Sequence, residues 1–180
     1  MTFVPNALSW QVLGTTKLAA NATTSSILTI PPCDILRVTV IVTGYGGGDI
    51  VSFRFGGTAG AVDSGNNYAT AQAEWNAGQS GNQNTNTENN TTNLMRLAAS
   101  TITTGRIAQF TISNNATVRK TAIITQATEY GAATVTPRRN TTGDGIWANT
   151  TQQIISIQML TAGGNTLTAG SGFVVEGINL

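Results

Sequence analysis

The feature that most constrains this chain is an apolar alternation with a period of two. Leu36, Val38, Val40 and Val42 alternate with Arg37, Thr39, Ile41 and Thr43, and Val51, Phe53 and Phe55 with Ser52 and Arg54. Ala108, Phe110 and Ile112 alternate with Gln109 and Thr111, Ile155, Ile157 and Met159 with Ser156 and Gln158, and Phe173 and Val175 with Val174 and Glu176. A strand turns successive side chains to opposite faces, so this pattern buries one face and wets the other; a helix needs a period of 3.6. The segments are short, β-branched and bounded by Gly, Asn, Asp or Pro, as half-buried antiparallel strands are. Eight to ten strands are expected. Ala69–Ala77 is the nearest approach to an amphipathic helix, and it falls short of one.

The connections follow from the turn residues. Tyr45-Gly46-Gly47-Gly48-Asp49 and Thr161-Ala162-Gly163-Gly164-Asn165 each separate two strands and read as hairpin connections needing positive φ. Pro31-Pro32 ends the segment before it and forces an extended entry into the next strand. From Ala77 to Thr92 the chain is nearly all Gly, Gln, Asn, Thr and Ser with a lone Glu88, and reads as a long polar surface loop. Residues 1–8, with Phe3, Val4 and Pro5, read as an N-terminal arm. Residues 9–180 read as one all-β domain, two antiparallel sheets packed as a sandwich. A length of 180 residues suits that single domain, and no fixed-period repeat points to a solenoid.

Composition removes whole classes of function. Only 9% of residues are charged, against about 25% in an ordinary soluble domain, and the net charge is +1. The basic doublets are Arg119-Lys120 and Arg138-Arg139, too few for a phosphate-binding surface, so no nucleic-acid partner is expected. The apolar runs fall short of the about 20 residues of a spanning helix, so no membrane partner is expected either. Met1 to Ala20 hold no positive segment followed by an apolar stretch, the mark of a secretory leader. Without histidine there is no imidazole base, His-based triad or His metal ligand. One cysteine makes neither an internal disulfide nor a zinc cluster.

The remaining candidates for chemistry are weak. Gly46-Gly47-Gly48-Asp49 lacks the helix and the basic residue of a phosphate cradle and reads as a turn. Asp63-Ser64-Gly65-Asn66-Asn67 has oxygens at a calcium-like spacing but lacks the later bidentate Glu; an Asx-type turn fits it better. Glycoside hydrolysis needs paired carboxylates, and Asp34, Asp49, Asp63, Glu74, Glu88, Glu129, Asp144 and Glu176 are scattered singly. No enzyme activity, cofactor or metal is expected. Cys33 reads as a structural thiol. Of Trp10, Trp75, Trp147, Tyr45, Tyr68 and Tyr130, a sandwich core takes most. Trp75, beside the polar stretch, is the candidate for an exposed contact. Thr on solvated strand faces keeps a surface uncharged, which suits packing against other subunits without desolvating ions.

Two stretches are similar to a known group. In the first, Ile35–Gly57, the turn Gly44-Tyr45-Gly46-Gly47-Gly48-Asp49 leads into Ser52-Phe53-Arg54-Phe55, with Asn67-Tyr68 beyond. The second runs from Ile154 through Gly163-Gly164-Asn165 and Leu167 to Phe173. Together they resemble virion structural proteins of tailed bacteriophages, of the jelly-roll capsid decoration or cement type. The resemblance covers about half the chain, mainly Ile35–Tyr68 and Thr150–Ile178. It implies a jelly-roll-like sandwich and a homotrimer on the capsid exterior, seated where hexamers of the major capsid protein meet and assembled in the host cytoplasm. No catalytic residue comes with it. Phe3, Val4 and Trp10 are the expected capsid or subunit contacts. Related sandwiches serve as head fibres or tail-associated receptor-binding adhesins; in that alternative Trp75 and the stretch Ala77–Thr92 would meet host glycans.

Overall fold

The computed structural model describes residues 9–77, 83–98, 104–130 and 138–180. Among them are twelve strands and no helix: β1 (Gln11–Lys17), β2 (Leu28–Thr29), β3 (Ile35–Val42), β4 (Val51–Gly56), β5 (Tyr68–Ala77), β6 (Gln83–Thr92), β7 (Met95–Arg96), β8 (Gly105–Ser113), β9 (Lys120–Tyr130), β10 (Arg138–Trp147), β11 (Ser156–Thr161) and β12 (Gly172–Ile178). The count exceeds the expected eight to ten because β2 and β7 are two-residue pieces and because β6 forms where a loop was expected. Every pairing is antiparallel. One sheet runs β1-β12-β3-β8-β9-β10-β5-β6, the other β2-β11-β4-β7.

Without the β5–β6 and β9–β10 pairs, β1-β12-β3-β8 faces β2-β11-β4-β7. Every connection but β4 to β7 then crosses from one sheet to the other. That is the double Greek key of a jelly roll. The two extra pairs, inserted between β4 and β7 and between β8 and β11, widen the larger sheet beyond β8.

The alternation read from the sequence builds the core. Leu36, Val38, Val40 and Val42 of β3, Phe110 and Ile112 of β8, and Phe173 and Val175 of β12 are buried against Val51, Phe53 and Phe55 of β4. Phe53 meets Phe110 and Phe173 edge-on, with ring centroids 5.1 and 5.3 Å apart. Each such side chain withdrawn from water contributes about 1.5–3 kcal/mol, and edge-to-face rings add to that. Where β9 begins and β10 ends, the buried Lys120 ammonium donates to the carbonyls of Val118 (2.9 Å) and Asn149 (2.8 Å) and ties the two strands together. Burial lowers its pKa.

Two expectations are corrected. First, Tyr45–Asp49 and Thr161–Asn165 are not hairpins: they carry the chain from β3 to β4 and from β11 to β12, strands in different sheets. Glycine-rich sequences mark a reversal of direction, not the sheet that the next strand joins. Among the described glycines, positive φ occurs at Gly60, Gly164 and Gly170, so the second turn uses it and Gly46–Gly48 do not.

Second, the polar stretch 77–92 is not one long loop, since Ala77 ends β5 and Gln83–Thr92 is the terminal strand of the large sheet. An edge strand satisfies one row of backbone groups against its neighbour and the other against water, so it needs no apolar side chain. Ala69–Ala77, which falls short of an amphipathic helix in the sequence, lies in β5, and its pattern runs against intuition. Thr70, Gln72 and Glu74 are buried while Ala69, Ala71 and Ala73 are half-buried. The buried row is polar because it is hydrogen-bonded. Arg106 Nη1 donates to Thr141 Oγ1 (3.5 Å), Thr141 Oγ1 donates to Glu74 Oε2 (3.2 Å), and Gln72 Nε2 donates to the Arg96 carbonyl (2.7 Å).

Candidate functional site

Among the described residues, the outer face of β1-β12-β3-β8-β9 is a broad surface that carries Trp10 and is otherwise open to solvent. With Leu36, Val38, Val40 and Val42 turned inward, Arg37, Thr39 and Ile41 necessarily turn out. Register then sets their neighbours. Ile41 stands opposite Ile107, Thr39 opposite Val174 and Gln109, and Arg37 opposite Glu176 and Thr111, with Ile123 beyond Thr111. Ile41 and Ile107 are each 47% exposed and Ile123 59%. Three isoleucines on adjacent strands at solvent positions are unusual, since a solvated strand face normally carries polar residues.

The charges on this face largely neutralise one another. Arg37 donates from Nε and Nη2 to both carboxylate oxygens of Glu176, at 2.7 and 2.9 Å. That hydrogen bonding holds the Glu176 carboxyl below its usual range and raises Arg37 further. The guanidinium also lies over the Trp10 ring, 4.3 Å from its centroid. Trp10 is thus packed on the β3 face rather than free at the surface. Gln109 Nε2 donates to Thr39 Oγ1 at 3.2 Å.

Two shallow hollows flank the centre of the face. One, of about 380 Å³, lies over β1, β12 and β3 and has Lys17 as its only charged residue, beside Thr39, Ile41 and Val174. The other, of about 570 Å³, lies over the far ends of β3, β8 and β9. Its only charged side chain is that of Asp34, beside Ile35, Ile123 and the exposed Leu180.

The other residues marked in the sequence fall elsewhere. Phe3 and Val4 lie outside the described residues. Trp75 is in β5, opposite Asn140 of β10 and Asn84 of β6, and its side chain lies outside the described residues, as do those of Tyr130, Glu88 and Glu129. Tyr45, Tyr68 and Trp147 are in the core. Burial pushes the Tyr68 phenol up, and its hydroxyl donates to the Asp63 carbonyl at 2.9 Å.

The carboxylates have structural partners. Asp63 forms the Asx turn: Oδ1 accepts from Gly65 N (2.8 Å), and Oδ2 from Asn67 Nδ2 (2.8 Å) and Trp147 Nε1 (2.9 Å). Burial works to raise its pKa, and these donors with the Arg54 charge bring it below the ordinary value. Asp34 Oδ2 accepts from Leu180 N (2.9 Å). Asp49, 1% exposed, joins the two glycine-rich crossings: Oδ1 accepts from Ile50 N (2.7 Å) and Gly163 N (2.8 Å), Oδ2 from Asn165 N (2.9 Å). Cys33 is buried, its thiol pushed up to about 12 by burial and by neighbouring Asp34.

No family model and no curated protein matches this chain. Sequence reasoning had placed Ile41 at an outward position among Arg37, Thr39 and Thr43. It missed that Ile107 and Ile123 join it, because that depends on strand register.

Proposed function

We propose that this protein is a non-enzymatic structural subunit of a tailed-phage virion, a decoration or cement protein that binds the major capsid protein on the outside of the head. The observation that carries this reading is where the resembling segments lie. They supply β3, β4, β11 and β12, which pair as β12–β3 in one sheet and β11–β4 in the other, the centre of the jelly roll. Their two glycine-rich turns meet at Asp49. The carboxylates add support, since Asp34, Asp49, Asp63, Glu74 and Glu176 all accept hydrogen bonds from protein donors.

A cement subunit gains affinity by covering broad, repeated contact area on a symmetric shell. A surface of Thr, Asn and Ala does so without stripping water from ions. The N-terminal arm, with Phe3 and Val4, makes the capsid contact, because apolar residues in a terminal segment need a surface to cover them.

The test is co-sedimentation with phage capsid shells stripped of their surface proteins. The full chain binds saturably, and a variant lacking residues 1–8 loses binding while keeping its β-sheet circular dichroism. Unchanged binding by the shortened chain sinks the arm assignment, and no binding by the full chain sinks the cement reading. Saturable binding to a glycan array, lost in Trp75→Ala, would establish the adhesin alternative instead.

A further inference from the structure

We infer that the free edge of β6 pairs antiparallel with β6 of a second copy, joining two large sheets into one across a two-fold axis. The four sheet edges of this molecule are treated unequally. An exposed edge offers a row of unpaired N–H and C=O groups to any other chain, and natural sheets blunt that offer with short strands, bulges, Lys or Pro. Three edges here carry such devices. β2 and β7, the edges of the small sheet, are two residues long. β1, at one end of the large sheet, has a register shift between Val12 and Gly14 and ends on Lys17.

β6, at the other end, is different. Its ten residues, Gln83–Thr92, include no Pro, Lys, Arg or Gly. Its irregularity falls beyond Asn89, and Gln83–Asn89 runs in unbroken register against Asn76–Thr70. Among the described residues no strand lies on its far side. Seven residues at about 3.4 Å each make an unguarded template about 24 Å long.

The same seven residues suit a copy of themselves. In an antiparallel ladder with two-fold symmetry, one residue faces its own counterpart, and for Gln83–Asn89 that residue is the middle one, Asn86. Thr85 then stands opposite Thr87, Asn84 opposite Glu88 and Gln83 opposite Asn89, so every residue of the segment is paired. Cross-strand Thr pairs are favourable and like charges directly opposite are not. This register makes two Thr pairs and sets the two Glu88 backbones about 14 Å apart, beyond the screening length of about 8 Å. Moving the axis to Glu88 would put that carboxylate against itself. Amide and hydroxyl side chains both donate and accept, so identical residues satisfy one another across the axis.

An interface of this symmetry closes at two copies. It is a pair, not the homotrimer that the resemblance implies, and a single ladder is narrow enough that pairing depends on concentration. It stands or falls independently of the capsid reading, because its test involves no capsid.

The experiment is light scattering on a sizing column over a hundredfold concentration range, using the full chain of 18.7 kDa. The wild-type mass climbs from that value to twice it and no further. Asn86→Lys sets two ammonium groups opposite each other on the axis and shifts the dissociation constant at least tenfold toward monomer. Asn84→Lys sets the same charge opposite Glu88, twice, and tightens the pair. Circular dichroism is unchanged in both, since neither position has an apolar side chain to lose. A wild type that stays monomeric throughout overturns the inference, as does a trimer or a mass that rises beyond two copies. So does a pair in which Asn86→Lys and Asn84→Lys act in the same direction.

Discussion

Replacing Asp49 by Ala removes one carboxylate and, with it, the bonds from Ile50 N (2.7 Å), Gly163 N (2.8 Å) and Asn165 N (2.9 Å). A hydrogen bond to a charged acceptor contributes about 1.5–3 kcal/mol, and an orphaned buried donor costs about 1–3 kcal/mol. Ile50 is buried, so its N–H is stranded, whereas Gly163 and Asn165 are exposed and recover part of their loss from water. The sum comes to about 3–5 kcal/mol. For a domain of this size, about 2–4 °C of Tm is lost per kcal/mol, so Tm falls by about 10 °C. Asp49→Asn keeps an oxygen for Ile50 and Gly163 but turns an amide N–H₂ toward the Asn165 N–H, a loss of about 2 kcal/mol. Asp34→Ala, which releases the single exposed Leu180 N–H, serves as the control and stays below about 1 kcal/mol. Urea titration and calorimetry read all three. If Asp49→Ala unfolds within 1 kcal/mol of the control, roughly, Asp49 does not hold the two crossings together, and the packing of the resembling segments needs another explanation.

Two further outcomes follow from ionisation. Glu176 and Asp63 both have folded pKa values below their ordinary 4.5 and 3.8, so the native state holds their protons less tightly than the unfolded chain. The stability they supply is full above those ordinary values and is lost as pH falls through the lowered ones. Urea midpoints should therefore hold near pH 6 and drop below pH 4.5, with Glu176→Gln flattening part of the drop; a flat profile down to pH 2.5 contradicts the pairing. Cys33, with its thiol near 12, is about one part in ten thousand thiolate at pH 8. A maleimide should leave it unlabelled in the native protein and label it fully in urea, and prompt native labelling would refute its burial.

What the sequence disclosed and what it hid divide along physical lines. β3, β4, β8 and β12 were legible because each buries one face against the other sheet, and that demand writes a period of two into Leu36–Val42 or Ala108–Ile112. β6 was not, because Gln83–Thr92 needs only backbone partners along one edge. The inner row Thr70, Gln72 and Glu74 was hidden for a related reason: it is buried through hydrogen bonds, which leave no apolar signal. Turn residues told where the chain reverses at Gly46–Gly48 and Gly163–Gly164 but not that each reversal changes sheets. The candidate face was half visible. Ile41 stood out as an isoleucine at an outward position, whereas its meeting with Ile107 and the placement of Lys17 and Asp34 at opposite ends depend on register across four strands.

The proposal that this chain binds a phage head from outside is tested most directly by electron-microscopic imaging of stripped capsid shells incubated with excess protein. Added density is expected on the outer surface at symmetry-related positions between capsid subunits, absent when the chain lacks residues 1–8. Shells that remain bare at saturating protein would contradict it.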